Sequence, residues 1–259
     1  MDLGIAGRTA LVCASSRGLG FACAQALAHE GVHVIINGRD PERLATAEAA
    51  LRKMARGSVS SVRADVTTLD GRAALLSVVP DPDILVNNNA GPEPKDFLKI
   101  EDDDWARALE ANMIAPVLLV HRVIPGMIAR KFGRIVNITS AMVTTPRPHM
   151  SLSSGSRAGL TAVMKGLALD IARHNITINN LLPERIDTDR QHQMAQDMMK
   201  RFTITYEEAR RRQMDSIAAK RLGRPEEFGA TCAFLCSAQA GFMSGQNIHL
   251  DGGSYPALI

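Results

Sequence analysis

The chain has 259 residues, of which 46% are hydrophobic and 22% are charged, and its formal net charge is only +3. This length suits one large α/β domain, and a charge so close to zero gives no reason to expect nucleic acid as a partner. The sequence has neither a signal-peptide pattern nor an apolar run of membrane-spanning length. The four cysteines are not spaced like metal ligands, so we expect no metal site and reduced thiols in a cytoplasmic protein.

Short apolar runs alternate with longer helical patterns along the whole chain. Strands that are apolar on both faces are typical of a sheet covered by helices on each side, and the alternation favours parallel strands. The sequence therefore predicts one domain, residues 1–259, with a doubly wound, seven-stranded parallel sheet. The predicted strands are 10–14, 32–36, 59–63, 84–87, 134–138, 177–181 and 247–250, and the predicted helices are 18–30, 41–55, 70–79, 103–131, 151–174 and 225–236.

The first strand leads directly into a turn that contains two glycines and then into an alanine-rich helix. Glycines allow a close backbone approach, and the start of a helix offers free N–H groups to phosphate. The order of strand, turn and helix therefore predicts a dinucleotide site. Its contributing residues are Ser15, Arg17, Gly18, Leu19 and Gly20.

A polar, methionine-bearing insertion lies between the sixth and seventh strands, at about residues 189–221. Ligands of open α/β sheets bind beyond the carboxyl ends of the strands. We therefore expect the insertion to form a helical lid over the site. Its methionines, Met194, Met198, Met199 and Met214, are consistent with adaptable apolar contacts to a small molecule, although buried core methionines would give the same pattern.

Several further motifs occur in a fixed order along nearly the whole chain. They are Asn87-Asn88-Asn89-Ala90-Gly91, Asn112, Ile135-Val136-Asn137-Ile138-Thr139-Ser140, Pro183-x-x-Ile186-Asp187-Thr188, Leu222-Gly223-Arg224-Pro225 and Leu250-Asp251-Gly252-Gly253. With the glycine turn, these motifs resemble the short-chain dehydrogenase/reductases, and among them proteins similar to 3-oxoacyl-[acyl-carrier-protein] reductase. The resemblance implies a Rossmann fold and an oxidoreductase that uses NAD or NADP on a carbonyl or alcohol.

The resemblance also assigns cofactor contacts beyond the glycine turn. The implied residues are Asp65, Val66, Asn89, Ala90, Gly91, Pro183, Ile186 and Thr188. Two departures affect this site: Cys13 and Ala14 replace the first residues of the family's Thr-Gly pattern, and Glu184 replaces a glycine. An alanine at position 14 adds strain of roughly 1 kcal/mol if that position needs a positive φ.

The residues after the second strand favour NADP over NAD, although NAD stays possible. An acidic residue there would bind the ribose hydroxyls of NAD. Instead Gly38 leaves space and Arg39 can pair with a 2′-phosphate, with Arg17 as a second positive charge. The alternative is that Arg39 pairs with Asp40 or Glu42 at the start of a helix.

The catalytic pattern of the family is only partly retained. Asn112 and Ser140 match it, but Ser153 and Arg157 stand where a tyrosine and a lysine are expected. In the family the tyrosine exchanges a proton with the substrate oxygen, and the lysine lowers the tyrosine pKa and holds the nicotinamide ribose. Arg157 can hold the ribose or an anion but cannot relay protons near neutral pH.

Three other groups are candidates to replace the missing proton donor. His149 lies four residues before Ser153, and an imidazole titrates near neutrality. Tyr206 lies in the lid insertion, where an exposed helix position is the simpler interpretation. Glu184 is an acid beside the expected nicotinamide pocket, where we expect a loop glutamate in solvent.

Three functions are compatible with these residues. The first is an NADP-dependent oxidoreductase with an altered proton relay through Ser140, Ser153 and His149. The second is a dinucleotide-binding protein without turnover, and the third is a non-redox enzyme on the same fold. The retained Asn112, Ser140 and Arg39 favour the first. The small residues on helices 103–131 and 151–174 favour a homo-oligomer, a tetramer or a dimer.

Overall fold

The apolar runs form the strands of a seven-stranded sheet in a computed structural model of the chain, which describes residues 1–258. Neighbouring strands all pair in parallel, in the order β3-β2-β1-β4-β5-β6-β7. The predicted doubly wound sheet is thereby confirmed. The strands are β1 Thr9–Val12, β2 His33–Gly38, β3 Val59–Arg63, β4 Ile84–Asn87, β5 Gly133–Ile138, β6 Ile176–Pro183 and β7 Asn247–Leu250.

The helices follow the predicted ranges, and the predicted lid consists of two helices, α7 and α8. The observed helix boundaries differ from the predicted ones by a few residues, because the last turn of a helix often tightens or frays. The helices are α1 Gly18–His29, α2 Pro41–Arg52, α3 Leu69–Val78, α4 Asp102–Leu109, α5 Ala115–Arg130, α6 Ser151–Ile171, α7 Asp189–Phe202, α8 Tyr206–Asp215 and α9 Pro225–Cys236.

The long helix predicted at 103–131 is not regular throughout. A π-helical turn, Glu110–Ile114, separates α4 from α5. Pro116 has no N–H to donate to the carbonyl group four residues earlier, which belongs to Asn112, so the α-helical hydrogen-bond ladder cannot close there. In the same turn, the side-chain amide of Asn112 donates to the carbonyl oxygen of Ala108 at 3.3 Å. Single π turns inside helices are frequent at functional sites.

The same helical stretch corrects one sequence-based expectation. The helical stretch Asp102–Arg130 contains an 18-residue window with a mean hydropathy of 1.5, which is long and apolar enough to cross a membrane. One side of the stretch, however, packs on a face of the sheet, where Leu119, Val123 and Met127 are buried. This packing identifies the stretch as a core helix.

The core has two layers, one on each face of the sheet, because successive strand residues point to opposite faces. Val12 of β1 packs with α1 and α9, whereas its neighbour Leu11 packs with α5 and α6. The strands β1, β2, β4, β5 and β6 are thus buried on both sides, whereas the edge strands β3 and β7 are partly exposed. All four cysteines are buried and free, as the sequence predicted.

Four asparagines form a hydrogen-bonded ladder across the strands β4, β5, β6 and β7. They stand in register on neighbouring strands, and each side-chain amide donates to the side-chain oxygen of the next at 2.9 Å. The ladder runs through Asn87, Asn137, Asn180 and Asn247. Burying an amide group is costly unless it is hydrogen-bonded. The ladder therefore fixes the register of β4, β5, β6 and β7 relative to one another.

Candidate active site

A cleft of about 830 Å³ opens beyond the carboxyl ends of the strands. It spans the point between β1 and β4 where the strand order reverses, which is the usual ligand site of such sheets. Three of the sequence-predicted site residues do not line it, namely Ser15, Gly20 and Asn112, which are buried. The predicted residues that line it are Arg17, Gly18, Leu19, Arg39, Asp65, Val66, Asn89, Ala90, Gly91, Ser140, Ser153, Arg157, Pro183, Ile186 and Thr188.

The turn after β1 is held in an unusual backbone conformation. Ala14 has a φ of +44°, in the left-handed region that favours glycine. Its N–H donates to the side chain of Asn37 at 3.2 Å, and its carbonyl oxygen accepts from the side chain of Asn88 at 3.0 Å. Asn37 lies on β2 and Asn88 directly follows β4, so two distant segments hold the turn together. The left-handed turn also explains why β1 ends at Val12, two residues before the predicted end.

Ser15 and Gly20 shape this turn from behind the cleft. The hydroxyl of Ser15 donates to the carbonyl oxygen of Val12 at 2.7 Å and accepts from the N–H of Asn37 at 3.0 Å. A Cβ at Gly20 would lie 2.7 Å from the carbonyl oxygen of Ala14, a distance that real Cβ atoms do not tolerate. Position 20 therefore requires glycine.

The N-terminus of α1 opens into the cleft without a side-chain cap. Arg17 stands at the capping position in an extended conformation, and the first turn of the helix carries no acidic residue. An uncapped helix start has free N–H groups and a partial positive charge. These features fit the pyrophosphate of a dinucleotide.

Arg39 and Asp65 lie together at the outer end of the cleft. Nη1 of Arg39 lies 3.4 Å from Oδ2 of Asp65, so Arg39 pairs with neither Asp40 nor Glu42. Partial burial opposes ionisation of Asp65, but hydrogen bonds from Thr67 and the charge of Arg39 outweigh it and lower its pKa. The side chain of Arg39 is 74% exposed. It is therefore free to move onto a phosphate.

Arg157 places a buried cation at the inner end of the cleft. Its Nη1 donates to the carbonyl oxygens of Ile138 at 2.8 Å and Thr139 at 2.7 Å. Burial, and then the charge of Arg190, lower the pKa of Arg157 to about 10, so it stays charged at neutral pH. Its Nε is buried and has no hydrogen-bond partner among the described residues. A Cβ at Gly91 would lie 3.4 Å from Nη2, so the guanidinium closely borders that loop.

The two serines line the same cleft as Arg157. Ser140 follows β5, and its hydroxyl accepts from the N–H of Met142 at 3.2 Å. Ser153 lies in the first turn of α6 and is 4% exposed. Asn112 is buried in the π turn, which packs against α6.

The structure separates the three candidate replacements for the tyrosine. His149 is exposed and lines the cleft, with a φ of +66°. The hydroxyl of Tyr206 is 2.5 Å from Nδ1 of His192, and neither residue lines the cleft. The prediction that Glu184 points into solvent is wrong, because its side chain is only 10% exposed and contacts Arg147 and Arg185.

Sequence reasoning missed five arginines that line the cleft, namely Arg43, Arg147, Arg185, Arg190 and Arg201. Arg147 stands between two prolines in the loop after β5, and Arg185 fills an unassigned place in the motif after β6. Arg190 begins the lid helix α7, pairs with Glu93 and donates to the carbonyl oxygen of Pro92 at 3.3 Å. The bond from Arg190 joins the lid to the loop after β4. The two prolines beside Arg147 were the sequence feature that could have pointed to this residue.

This architecture, a doubly wound parallel sheet with an uncapped glycine-turn helix at the switch point, defines the class of dinucleotide-binding α/β proteins. A family model described as enoyl-(acyl carrier protein) reductase matches residues 13–255. The chain belongs to the short-chain dehydrogenase/reductase family.

Relatives match over nearly the entire chain. The NADPH-dependent reductase BacG of Bacillus subtilis is 32% identical over 256 residues, which cover 97% of this chain and 99% of BacG. The 3-oxoacyl-[acyl-carrier-protein] reductase FabG of Aquifex aeolicus is 32% identical, and the match covers 98% of this chain and 100% of the FabG chain. The crystal structure of L-sorbose reductase from Gluconobacter frateurii, complexed with NADPH and L-sorbose, superposes with a TM-score of 0.95 at 30% identity, with full coverage of both chains.

Proposed function

We propose that this protein is an NADPH-dependent reductase that converts a carbonyl group of a small molecule to an alcohol. The observation that carries the proposal is one continuous cleft that joins the uncapped start of α1 and Arg39 to Ser140, Ser153 and Arg157. The reductase activities named for BacG, FabG and L-sorbose reductase support the same reaction class. When bound, the reduced nicotinamide supplies the hydride.

The cleft residues fit the parts of NADP in order. The start of α1 suits the pyrophosphate, and Arg39 suits the 2′-phosphate, since guanidinium groups bind phosphate bidentately. Asp65 and Val66 suit the adenine at the same end. Arg157 borders Gly91 and suits the nicotinamide ribose, where its unpartnered Nε can find an acceptor.

The chain's own groups must place the carbonyl and handle the proton. As hydride adds to the carbonyl carbon, negative charge develops on its oxygen. The hydroxyl of Ser140 and the nearby Arg157 cation stabilise that charge. The proton then reaches the oxygen through Ser153 from His149, which lines the cleft and exchanges protons with solvent. The products are the alcohol and the oxidised cofactor.

A second candidate function is dinucleotide binding without turnover, as a sensor or partner subunit. One observation favours it: none of the described residues that line the cleft is a tyrosine or a lysine. The two candidates differ only in whether bound NADPH is consumed. Binding and turnover must therefore be measured separately.

Binding is measured by fluorescence titration of the full chain with NADPH and, separately, NADH. We expect tighter binding of NADPH. Arg39→Ser should weaken NADPH binding by about tenfold or more and leave NADH binding unchanged, because it removes one charged phosphate contact. Arg122→Ser, an exposed substitution on α5, is the matched control. If neither nucleotide binds, both candidate functions fail.

Turnover is measured as loss of NADPH absorbance in single-turnover reactions with a panel of ketones. We expect Ser140→Ala and His149→Ala each to slow the reaction without changing NADPH affinity. If NADPH binds but no ketone is reduced, while Ser153→Tyr combined with Arg157→Lys reduces one, the binding-protein function is correct.

We also infer that the protein forms a homo-oligomer in the cytoplasm. Apolar side chains are exposed on the two long helical stretches, with Leu118 39% exposed and Ile114 41% on one, and Val163 40% and Leu169 73% on the other. Exposed apolar patches of this kind mark interaction sites. Light scattering with size-exclusion chromatography tests the inference, and Leu169→Lys should lower the measured mass if it is correct. Free thiols agree with a reducing compartment.

A further inference from the structure

Three charged side chains form a compact cluster where β6 enters the cleft. Oε1 of Glu184 lies 3.0 Å from Nη1 of Arg147 and 3.3 Å from Nε of Arg185. Glu184 and Arg185 are 10% and 12% exposed, whereas Arg147 is 39% exposed. One carboxylate is therefore shared by two guanidinium groups, and the cluster keeps one positive charge in excess.

The backbone at this cluster is strained, and the buried charges are costly. Arg185 has a φ of +55°, and its carbonyl oxygen accepts from the N–H of Gly223 at 3.0 Å. Strained positions of this kind persist where the surrounding structure holds them, and they concentrate at ligand sites. Burial, and then the repulsion from Arg147, lower the pKa of Arg185, while Glu184 acts in the opposite direction. Burying charges that are incompletely paired does not favour folding, so an additional anion would complete the cluster.

The rest of the cleft shows where this positive charge is concentrated. The lining from β1 to β3 has three arginines and two aspartates, and it faces the phosphates of the proposed cofactor. The lining from β4 onward has five arginines and three acidic residues: Arg147, Arg157, Arg185, Arg190 and Arg201 against Glu93, Glu184 and Asp189. The excess charge beyond β4 lies on the side of Ser140 and Ser153. Because Arg157 is assigned to the nicotinamide ribose, four arginines and three acidic residues remain, and one excess positive charge is available to the substrate.

We propose that the substrate carries a carboxylate beside its carbonyl group and that Arg147 and Arg185 bind this carboxylate. This inference rests on the proposed function, since it assigns the substrate class of the same cleft. Guanidinium groups bind carboxylates through parallel, charge-assisted hydrogen bonds. Glu184 holds the two arginines in place and competes with the ligand for them. A neutral ketone would leave the excess charge uncompensated in a partly desolvated site.

The test compares two ketones that differ only in charge, benzoylformate and its methyl ester. Binding of each to the NADPH-saturated and to the nucleotide-free full chain is measured by saturation-transfer NMR, which needs no turnover. We expect benzoylformate to bind at least about tenfold more tightly than the ester. Arg147→Gln should remove this preference, and Arg173→Gln, an exposed substitution at the opposite end of β6, should leave it unchanged.

Glu184→Gln gives the sharpest prediction, because it removes the competing carboxylate while preserving side-chain shape. It should strengthen benzoylformate binding and leave ester binding unchanged. A merely structural role for the cluster predicts the opposite, namely equal loss for both ligands together with a lower melting temperature. Equal affinity of the wild type for acid and ester would overturn the proposal. A failure of the cofactor assignment is separate, because it would appear in the NADPH titration and not in the acid-to-ester ratio.

Discussion

Replacing Ala14 by glycine should stabilise the protein, although a glycine usually destabilises. Ala14 has a φ of +44°, and two asparagine side chains hold it there. A left-handed conformation costs an L-residue roughly 1–2 kcal/mol, and glycine escapes this cost. The additional freedom of glycine in the unfolded chain offsets about 0.4–1 kcal/mol. We therefore expect Ala14→Gly to raise the free energy of unfolding by about 0.5–1 kcal/mol.

Scanning calorimetry without nucleotide measures this effect. For a chain of this size 1 kcal/mol corresponds to about 2–4 °C, so the expected rise in Tm is roughly 1–4 °C. Ala49→Gly is the matched control, because Ala49 is exposed in the regular helix α2. It should lower stability by about 1 kcal/mol. If both variants lower Tm alike, the strain assigned to Ala14 is absent and the reasoning is refuted.

Three further predictions concern the ladder, an ion pair and the thiols. Asn137→Ala leaves two buried amide groups unpaired and should cost about 2–4 kcal/mol in chemical denaturation. A hydrogen bond from Lys95 lowers the pKa of Asp104 to about 2. The stabilisation from Asp104 should therefore be complete above its unfolded pKa of about 4 and be lost as the pH falls toward 2, which Tm measurements on wild type and Asp104→Asn will detect. Burial raises the pKa of Cys13 to about 12, and the other cysteines are equally buried, so none should react with a thiol reagent before the protein unfolds.

Each of these predictions has a control or a contradicting result. Asn247→Ala, at the exposed end of the ladder, should cost clearly less than Asn137→Ala, since water can replace the lost partner. A Tm difference between wild type and Asp104→Asn that stays constant down to pH 2 would disprove the role of Asp104. Rapid labelling of one or more thiols in the native protein would contradict the buried arrangement, and labelling in denaturant gives the full count.

The sequence predicts the fold well because strand runs buried on both faces allow few alternatives. Val12 and Leu11 enter opposite core layers, and such two-sided burial is already visible in an uninterrupted apolar run. The π turn at Glu110–Ile114 was not predicted, although Pro116 was the local cause. The sequence prediction extended one regular helix, 103–131, through Pro116, whereas the structure interrupts this helix with a π turn.

The site is predicted less completely, because its charges depend on contacts between distant segments. Pairing of Arg39 with Asp40 or Glu42 was the alternative to a phosphate contact, but Arg39 instead contacts Asp65, which follows the next strand. Glu184 was expected in solvent but is covered by Arg147, 37 positions earlier in the chain. These residues meet because the sheet brings the segments that follow different strands to the same edge. The sequence alone does not show which of these segments lie next to each other.

The asparagine ladder has a consequence for how molecules enter the cleft. All of its amides point the same way, from Asn87 toward Asn247, so neither of the two inner amides, Asn137 and Asn180, can reverse without breaking two bonds. The ladder therefore resists changes in the register of β4 to β7. On the other side of the cleft, α7 is held by side-chain contacts: Arg190 binds the loop after β4, Asp189 pairs with Arg17, and Gln191 accepts from Arg185. We therefore expect α7, rather than the sheet, to move when a molecule enters the cleft.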